Sequence, residues 1–437
     1  MTPRFTLPLL LLLTACAPSV ASETPAPVEK ASLQQNTGFD AAAMDALLSG
    51  AVENGEVIGV SALVFDEGEV VYENAFGLRD REAGLPVTED TVWRIYSMTK
   101  PITSALIMDL AEDGLLSLDD PASTYIPELA RMQVVSLGED GRPVYTEQAR
   151  PMTVEDLLLH RSGMAYGIFG GNPVEDAYGQ AALFRNDEGL TPKMERLSQL
   201  PLLFQPGEAW FYSYSIDVLG RIAEVVTGTP LDDLLQARIF EPLGMTETGF
   251  FVRPDQVERF AALYQLGPDG QYTRLDENPD NPFLPPRTVD GGFHSGGGGL
   301  MSTQRDYARF AQMMLDGGVH EGERILEEDT VRAMMTDQME PGFTSPLDWI
   351  GGTSGAGFGY GGAVQNTVTP AQQTASGRYP GQWGWGGAAR TNMFIDPRND
   401  AFGIIMLQFF GGNGDPQIHD DFQALVLEQT RDRPFPD

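Results

Sequence analysis

The sequence predicts an α/β (α+β) protein: a sheet built from strands near both ends of the chain, flanked by helices, with a mainly helical region inserted between. Three observations carry this. β-Rich runs cluster at 57–77 and return at 357–410. Between them, residues 120–290 hold most of the helical signals. The chain has 437 residues and is 42% hydrophobic, enough for a large core and for two domains. The expected division is 37–119 with 291–437 as a discontinuous sheet domain, and 120–290 as the helical domain.

The first twenty residues, "MTPRFTLPLLLLLTACAPSV", are a targeting segment. Arg4 supplies the positive region and Leu9 to Leu13 the apolar stretch, too short to span a membrane comfortably. "LTAC" at 13–16 resembles the bacterial lipoprotein signal, which is cut before a cysteine that then carries lipid. Residues 1–16 are therefore expected to be a lipoprotein signal peptide, with Cys16 the lipidated residue. Cys16 is the sole cysteine, so no intrachain disulfide can form. An ordinary signal peptide cut slightly later is the alternative. Residues 17–36 read as a flexible tether. The expected location is the bacterial cell envelope, lipid-anchored, on the periplasmic or extracellular side.

Residues 38–55, "GFDAAAMDALLSGAVENG", predict a helix capped by Asp40. In 57–77, two β-rich runs flank "DEGE", a hairpin signal. A second helix begins near Ser97 and runs to about Asp113. Helical segments follow at 153–160, 193–203, 215–228 and 231–240, then an irregular connection at 275–287. A helix at 302–318 is expected to take Ser302 as its cap. Strands are predicted at 357–365, 388–397 and 401–410, the last two joined by "RND". A closing helix spans about 416–430.

The chemistry starts from scarcity. Of 28 basic residues only three are lysines, and Lys100 stands three residues after Ser97 at the head of an apolar helix. Residues i and i+3 share a helical face, so Ser97 and Lys100 are within reach of each other. A serine hydroxyl becomes a good nucleophile when a neighbour takes its proton. A lysine does so where burial or nearby positive charge loosens its own proton. Pro101 fits at the first turn, where its missing N–H costs little. Alone, S-x-x-K is a weak signal; a capping serine and a surface lysine would look the same.

Two further stretches join it. In "PGEAWFYSYSIDVLG", 206–220, Tyr212 is a candidate general acid or base; a phenol with pKa near ~10 needs a positive neighbour to act, and Lys100 could be one. Tyr214 points differently, and Asp217 fits a structural cap or pair. In "GQWGWGGAARTNMFIDP", 381–397, glycines before a strand let a substrate approach the backbone. The amides of Ser97 and Ala388 could converge as an oxyanion hole, and Trp385 would give a flat apolar wall. Packed aromatic residues and a glycine-rich hairpin would leave the same letters.

Other chemistries fit poorly. Net charge is −34, which disfavours nucleic acid and anionic phosphates. His160, His294, His320 and His419 are scattered and no H-E-x-x-H exists, so no metal site is expected. No G-x-S-x-G elbow occurs; "GTSGA" at 352–356 lacks the last glycine. The glycines at 296–299 do not fit a phosphate loop. His160 is expected to order backbone near the pocket, and His294 to line the cleft.

Taken together, "SMTK" (97–100), "YSYSIDVLG" (212–220) and "WGWGG" (383–387) resemble the serine β-lactamase and penicillin-binding-protein superfamily. The similarity is to its class C-like section, nearest the family VIII carboxylesterases. "MTVEDLLLHRSGM" (152–164), "PLGMTETGF" (242–250), "GGGGLMSTQRDYARFAQMMLDGG" (296–318) and "GFGYG" (357–361) match in order and spacing, over roughly 40–430. The resemblance implies an antiparallel sheet flanked by helices, as in β-lactamases and transpeptidases. It implies Ser97 as acylated nucleophile, Lys100 as its proton acceptor and Tyr212 as proton shuttle. The oxyanion amides would be those of Ser97 and Ala388, and no cofactor is required. Tyr214, Trp385, Gly386, Gly387 and His294 would line the substrate site.

Two departures bear on substrate. The family's Lys/His–Thr/Ser–Gly motif reads Trp385, Gly386, Gly387, and the frequent Asn two places past the tyrosine is Tyr214. A charge-assisted hydrogen bond to a β-lactam carboxylate is worth about 1.5–3 kcal/mol. Losing one would cut β-lactam efficiency about ten- to several-hundred-fold. An uncharged ester needs neither, so the expected activity is a serine carboxylesterase for small or medium acyl groups. β-Lactamase or D-amino-acid peptide hydrolase is the first alternative, and a non-catalytic lipoprotein binding cell-wall ligands the second. Expected partners are a small-molecule ester or amide and, through the anchor, a membrane.

Overall fold

A buried strand of mixed β-branched and aromatic residues, β1 (Gly59–Asp66), organises the architecture. It turns into β2 (Glu69–Asp80), its hairpin neighbour, and β3 (Leu85–Pro86) follows at the edge. The remaining strands arrive from the far end of the chain: β4 (Ala356–Phe358), β5 (Ala363–Gln365), β6 (Trp383–Gly386), β7 (Asn392–Asp396) and β8 (Ala401–Met406). They form one eight-stranded sheet in the order β4-β5-β6-β7-β8-β1-β2-β3, and every neighbouring pair is antiparallel. The protein is described here by a computed structural model covering residues 38–185, 188–275, 277, 284, 287–339, 355–368, 377–412 and 416–430. The expected signal peptide with Cys16 and the expected tether lie outside these residues, as does most of the 275–287 connection.

Period-two alternation puts the two faces of β1 into different cores. Val60, Ala62 and Val64 pack with Ile405 and with helices α1 (Ala41–Glu53) and α5 (Gln417–Thr430). Leu63 and Phe65 join Phe402, Ile404 and Met406 on the other face. There lie α2 (Thr99–Glu112) and α4 (Gln304–Leu315), with α3 (Ser215–Thr227) packed on α2. Covering both faces explains why β8 is buried at all six positions.

Asp40 caps α1, accepting from the Ala43 amide. The cap of α4 is Thr303 and not Ser302: the Thr303 hydroxyl faces the Asp306 amide, while Ser302 bonds Thr248. The single strand expected at 357–365 is two, because Gly361, at φ 91°, turns the chain between them. The strand expected from 388 begins at Asn392, after a turn in which the Arg390 amide donates to Gly387. Within 120–290 there are also strands. Val134–Leu137 pairs with Pro143–Thr146, and the hairpin Leu263–Leu266/Tyr272–Leu275 pairs in parallel with Phe409–Gly411, just after β8.

Candidate active site

The segment leading to Ser97 is fixed before the helix begins. Trp93 and Arg94 pair with Met301 and Ser302, and the Ile95 amide donates to Leu300. Tyr96 then takes φ 42°, a conformation that costs a non-glycine residue about 1–3 kcal/mol. Tyr96–Met98 is one turn of 3₁₀ helix, and the α-helix proper starts at Thr99. Ser97 and Lys100 share a face across this junction. Ser97 is half-buried at the surface of the site, whereas Lys100 is fully buried.

Lys100 Nζ has three polar neighbours: Ser97 Oγ at 3.4 Å, Tyr166 Oη at 3.4 Å and the Gly297 carbonyl at 2.5 Å. It also lies 4.4 Å from the centroid of the Tyr212 ring. Tyr212 precedes α3 and is buried among rings: Trp210, His160, Tyr166, Phe169 and Trp385. Its hydroxyl accepts from the Trp385 indole N–H at 3.4 Å. His160, just after helix Val154–Leu158, orders this approach: Nδ1 meets the Ser213 hydroxyl at 3.1 Å, and its carbonyl accepts from the Phe211 amide. Burial, with the Lys100 charge nearby, holds the His160 imidazole well below the usual histidine range, so it stays neutral.

The glycines of "WGWGG" bring the end of β6 against the Ser97 segment. A side chain on Gly387 would overlap the Ile95 carbonyl, two residues before the serine, and the Thr391 hydroxyl. The Gly387 amide donates to Thr391 at 2.7 Å, and the Thr391 hydroxyl to Ile95 at 3.3 Å. Ala388, next along, is exposed, and Trp385 and Gly386 are half-buried.

The other two expected binding residues sit elsewhere. Tyr214 is only 2% exposed, stacked on Tyr166 at 4.9 Å, and its hydroxyl has no partner among the described residues. It backs Tyr166 and offers no open surface. His294 stacks on Phe250 at 4.8 Å and bonds Asp290 at 3.1 Å, neither belonging to the Ser97 cluster.

Three participants escaped sequence reasoning. Tyr166 has a phenol pushed well above its usual range by burial, then by Tyr212 and Asp217. Its one sequence signal is a tyrosine set among glycines in "SGMAYG". Gly297 contributes a carbonyl, which no letter announces. Glu175, 1% exposed, accepts the amides of Tyr166, Gly167 and Phe169 at 2.7, 3.0 and 2.8 Å, and so fixes the loop behind Tyr166. Among the described residues, no group of His, Cys, Asp or Glu could hold a metal ion.

Comparison with known proteins gives a consistent neighbourhood. The Beta-lactamase family profile matches residues 44–428. The esterase EstB of Burkholderia gladioli is 32% identical over 370 residues, 82% of this chain and 87% of its own. The lovastatin esterase of Penicillium rubens is 30% identical over 395 residues, 84% and 92% of the two chains. Among solved structures, EstCE1, a hydrolase with promiscuous acyltransferase activity, superposes with a TM-score of 0.74 at 25% identity, over 90% of this chain and 98% of its own.

Proposed function

The chain belongs to the Beta-lactamase family, and on that premise we propose that it is a serine esterase working through an acyl-enzyme on Ser97. The observation that carries the proposal is the half-buried Ser97 hydroxyl 3.4 Å from the side-chain nitrogen of a fully buried Lys100, beneath a wall of rings. The esterase names of two relatives support the ester reading.

Ser97 Oγ attacks the ester carbonyl carbon and its proton passes to Lys100, with Tyr212 and Tyr166 beside it. The oxyanion is held by the amides of Ser97 and Ala388. Tyr212 protonates the leaving alcohol as the carbonyl re-forms. Water then attacks the acyl-enzyme, giving up a proton to the same pair, and the acid leaves with Ser97 restored. An alcohol in place of water would yield acyl transfer, the promiscuity attributed to EstCE1. Trp385, Gly386 and Gly387 line the substrate groove, with Tyr214 behind Tyr166. His294 is engaged by Phe250 and Asp290.

Trp385 stands where a cation would bind a β-lactam carboxylate, so ester turnover is expected to exceed cephalosporin turnover by about ten- to several-hundred-fold. The test compares a short-chain aryl ester with a chromogenic cephalosporin, using wild type and Ser97→Ala, with intact-mass spectra of quenched turnover. Equal cephalosporin turnover would make this a β-lactamase. Absence of any acyl adduct on Ser97, with Ser97→Ala still active, would end the covalent reading.

Residues 1–16 are proposed as a lipoprotein signal peptide with lipid on Cys16, residues 17–36 as a tether, and the cell envelope as the location. The division into 37–119 with 291–437 and 120–290 is proposed on the same footing. Cys16→Ser should move the protein from membrane to soluble fractions; unchanged fractionation would refute the anchor.

A further inference from the structure

We propose that Asp217 is a positioning residue for the proton acceptor: it fixes the turn whose Gly297 carbonyl holds Lys100, and its negative charge steadies the ammonium formed when Ser97 is deprotonated. The inference rests on the reading of Lys100 as that acceptor.

Asp217 lies in the first turn of α3, 1% exposed. Its Oδ1 accepts from the Ser295 hydroxyl at 2.5 Å and from the Gly297 amide at 3.3 Å. Its Oδ2 has no partner among the described residues and packs on the Gly297 α-carbon so closely that a side chain there would overlap it. The same turn is tied to α2, where the Thr103 hydroxyl donates to the Gly296 carbonyl at 2.8 Å. A side chain on Gly296 would meet the Ile216 carbonyl at 2.9 Å. The Ser295–Gly297 turn is thus wedged between the helix that carries Lys100 and the helix that follows Tyr212. Its Gly297 carbonyl emerges 2.5 Å from Lys100 Nζ.

A cap alone would not need a carboxylate. An asparagine would accept the same two bonds through its Oδ1 and carry no charge. What the carboxylate adds is charge. Burial raises the Asp217 pKa on balance, and Ser295, Lys100, the Gly297 amide and Lys193 offset part of that rise. Tyr166 and Tyr214 face the same carboxylate from the neighbouring loop and the start of α3. On its other sides Lys100 faces His160, Tyr166, Tyr212 and Ser97. Among these groups Asp217 is the one carboxylate, so it opposes the charge that appears on Lys100 when the Ser97 proton arrives.

The test is Asp217→Asn, which keeps the two acceptor bonds and removes the charge. The readout is kcat/KM for an aryl ester against pH, with Lys100→Met in parallel and thermal unfolding to confirm the fold. The ascending limb should move to lower pH by on the order of one unit, and the plateau should fall about tenfold. A folded variant with its limb unmoved would reduce Asp217 to a structural cap and overturn the inference. Should the variant not fold, Ser295→Ala releases one restraint on the turn: kcat is expected to fall several-fold with KM unchanged, and wild-type values of both would refute the positioning. An inactive Lys100→Met beside an unmoved Asp217→Asn limb defeats this inference alone. Near-normal Lys100→Met defeats the acceptor reading with it.

Discussion

Gly387→Ala tests whether the end of β6 and the Ser97 turn act as one unit. The added methyl would fall on two oxygens, the Ile95 carbonyl and the Thr391 hydroxyl. The carbonyl is backbone, braced by the pairing of Trp93 and Arg94 with Met301 and Ser302, so the strand end must yield. Overpacking of this kind costs about 1–3 kcal/mol. At an unfolding entropy of about 2.1 cal/mol/K per residue, the roughly 350 described residues convert this to a fall in Tm of about 1–4 °C. The effect on catalysis is expected to be far larger. On the proposed reading of the Ala388 amide as an oxyanion donor, moving it away from Ser97 by a fraction of an ångström to one ångström should lower kcat/KM about 100-fold. Gly386→Ala is the internal comparison: its methyl meets the Asn392 side chain at 3.1 Å and the Thr391 carbonyl at 3.3 Å. The amide can swing aside, so activity should stay within about fivefold. The assay is aryl-ester kcat/KM with differential scanning calorimetry on both variants. A Gly387→Ala enzyme with near wild-type kcat/KM would refute the coupling, whatever its Tm.

Two other perturbations probe the support of the site. His160 binds a proton less readily folded than unfolded, so its contribution to stability is present above about pH 6.5 and is lost as pH falls below it, at up to about 1.4 kcal/mol per pH unit. His160→Asn, which suits the residue's φ of 54°, should flatten the decline in Tm between pH 7 and pH 5; an identical acid slope in both proteins would disprove the assignment. Glu175→Gln turns an NH₂ toward one of three donated amides, costing about 1–3 kcal/mol. Calorimetry should show a Tm lower by about 1–4 °C, and KM for an aryl ester should rise as Phe169 and Tyr166 loosen. Unchanged Tm and KM would show that the loop needs no anion.

How much of this was legible in the sequence depended on which atoms do the work. Ser97 and Lys100 could be paired because the i, i+3 relation survives the change from 3₁₀ turn to α-helix. Local periodicity found α1, α2, α4 and α5 and the β1–β2 hairpin. Caps were less certain: Ser302 and Thr303 are equally good cap letters, and only the direction of the Asp306 amide separates them. Long-range register was not visible. Nothing in 263–275 announces a parallel partner at 409–411, since a ladder is made by backbone groups common to every residue. The same limit hid Gly297, whose contribution is a carbonyl, and Glu175, whose partners are three amides. Tyr214 erred the other way: beside Tyr212 in sequence, it is turned inward behind Tyr166.

The lining of the site bears on substrate choice more directly than net charge does. The rings gathered on Tyr212 include Trp210, Phe169 and Trp385, with Phe358 edge-on to Trp385 at 5.4 Å, and the histidine among them is held neutral. Lys100, the basic side chain of this cluster among the described residues, is already engaged by Gly297, Tyr166 and Ser97 and faced by Asp217. A substrate carboxylate entering this space would lose its water and find no free cation in exchange, a transfer that costs several kcal/mol. A neutral ester loses little water, and its apolar groups gain contact with the rings. Trp385 contributes an indole N–H directed at the Tyr212 hydroxyl, and on the proposed reading it also occupies the position from which a cation would bind a carboxylate. On the proposed reading, Trp at 385 in place of Lys/His would alter recognition while leaving an N–H donor beside the Tyr212 hydroxyl, the group proposed as proton shuttle.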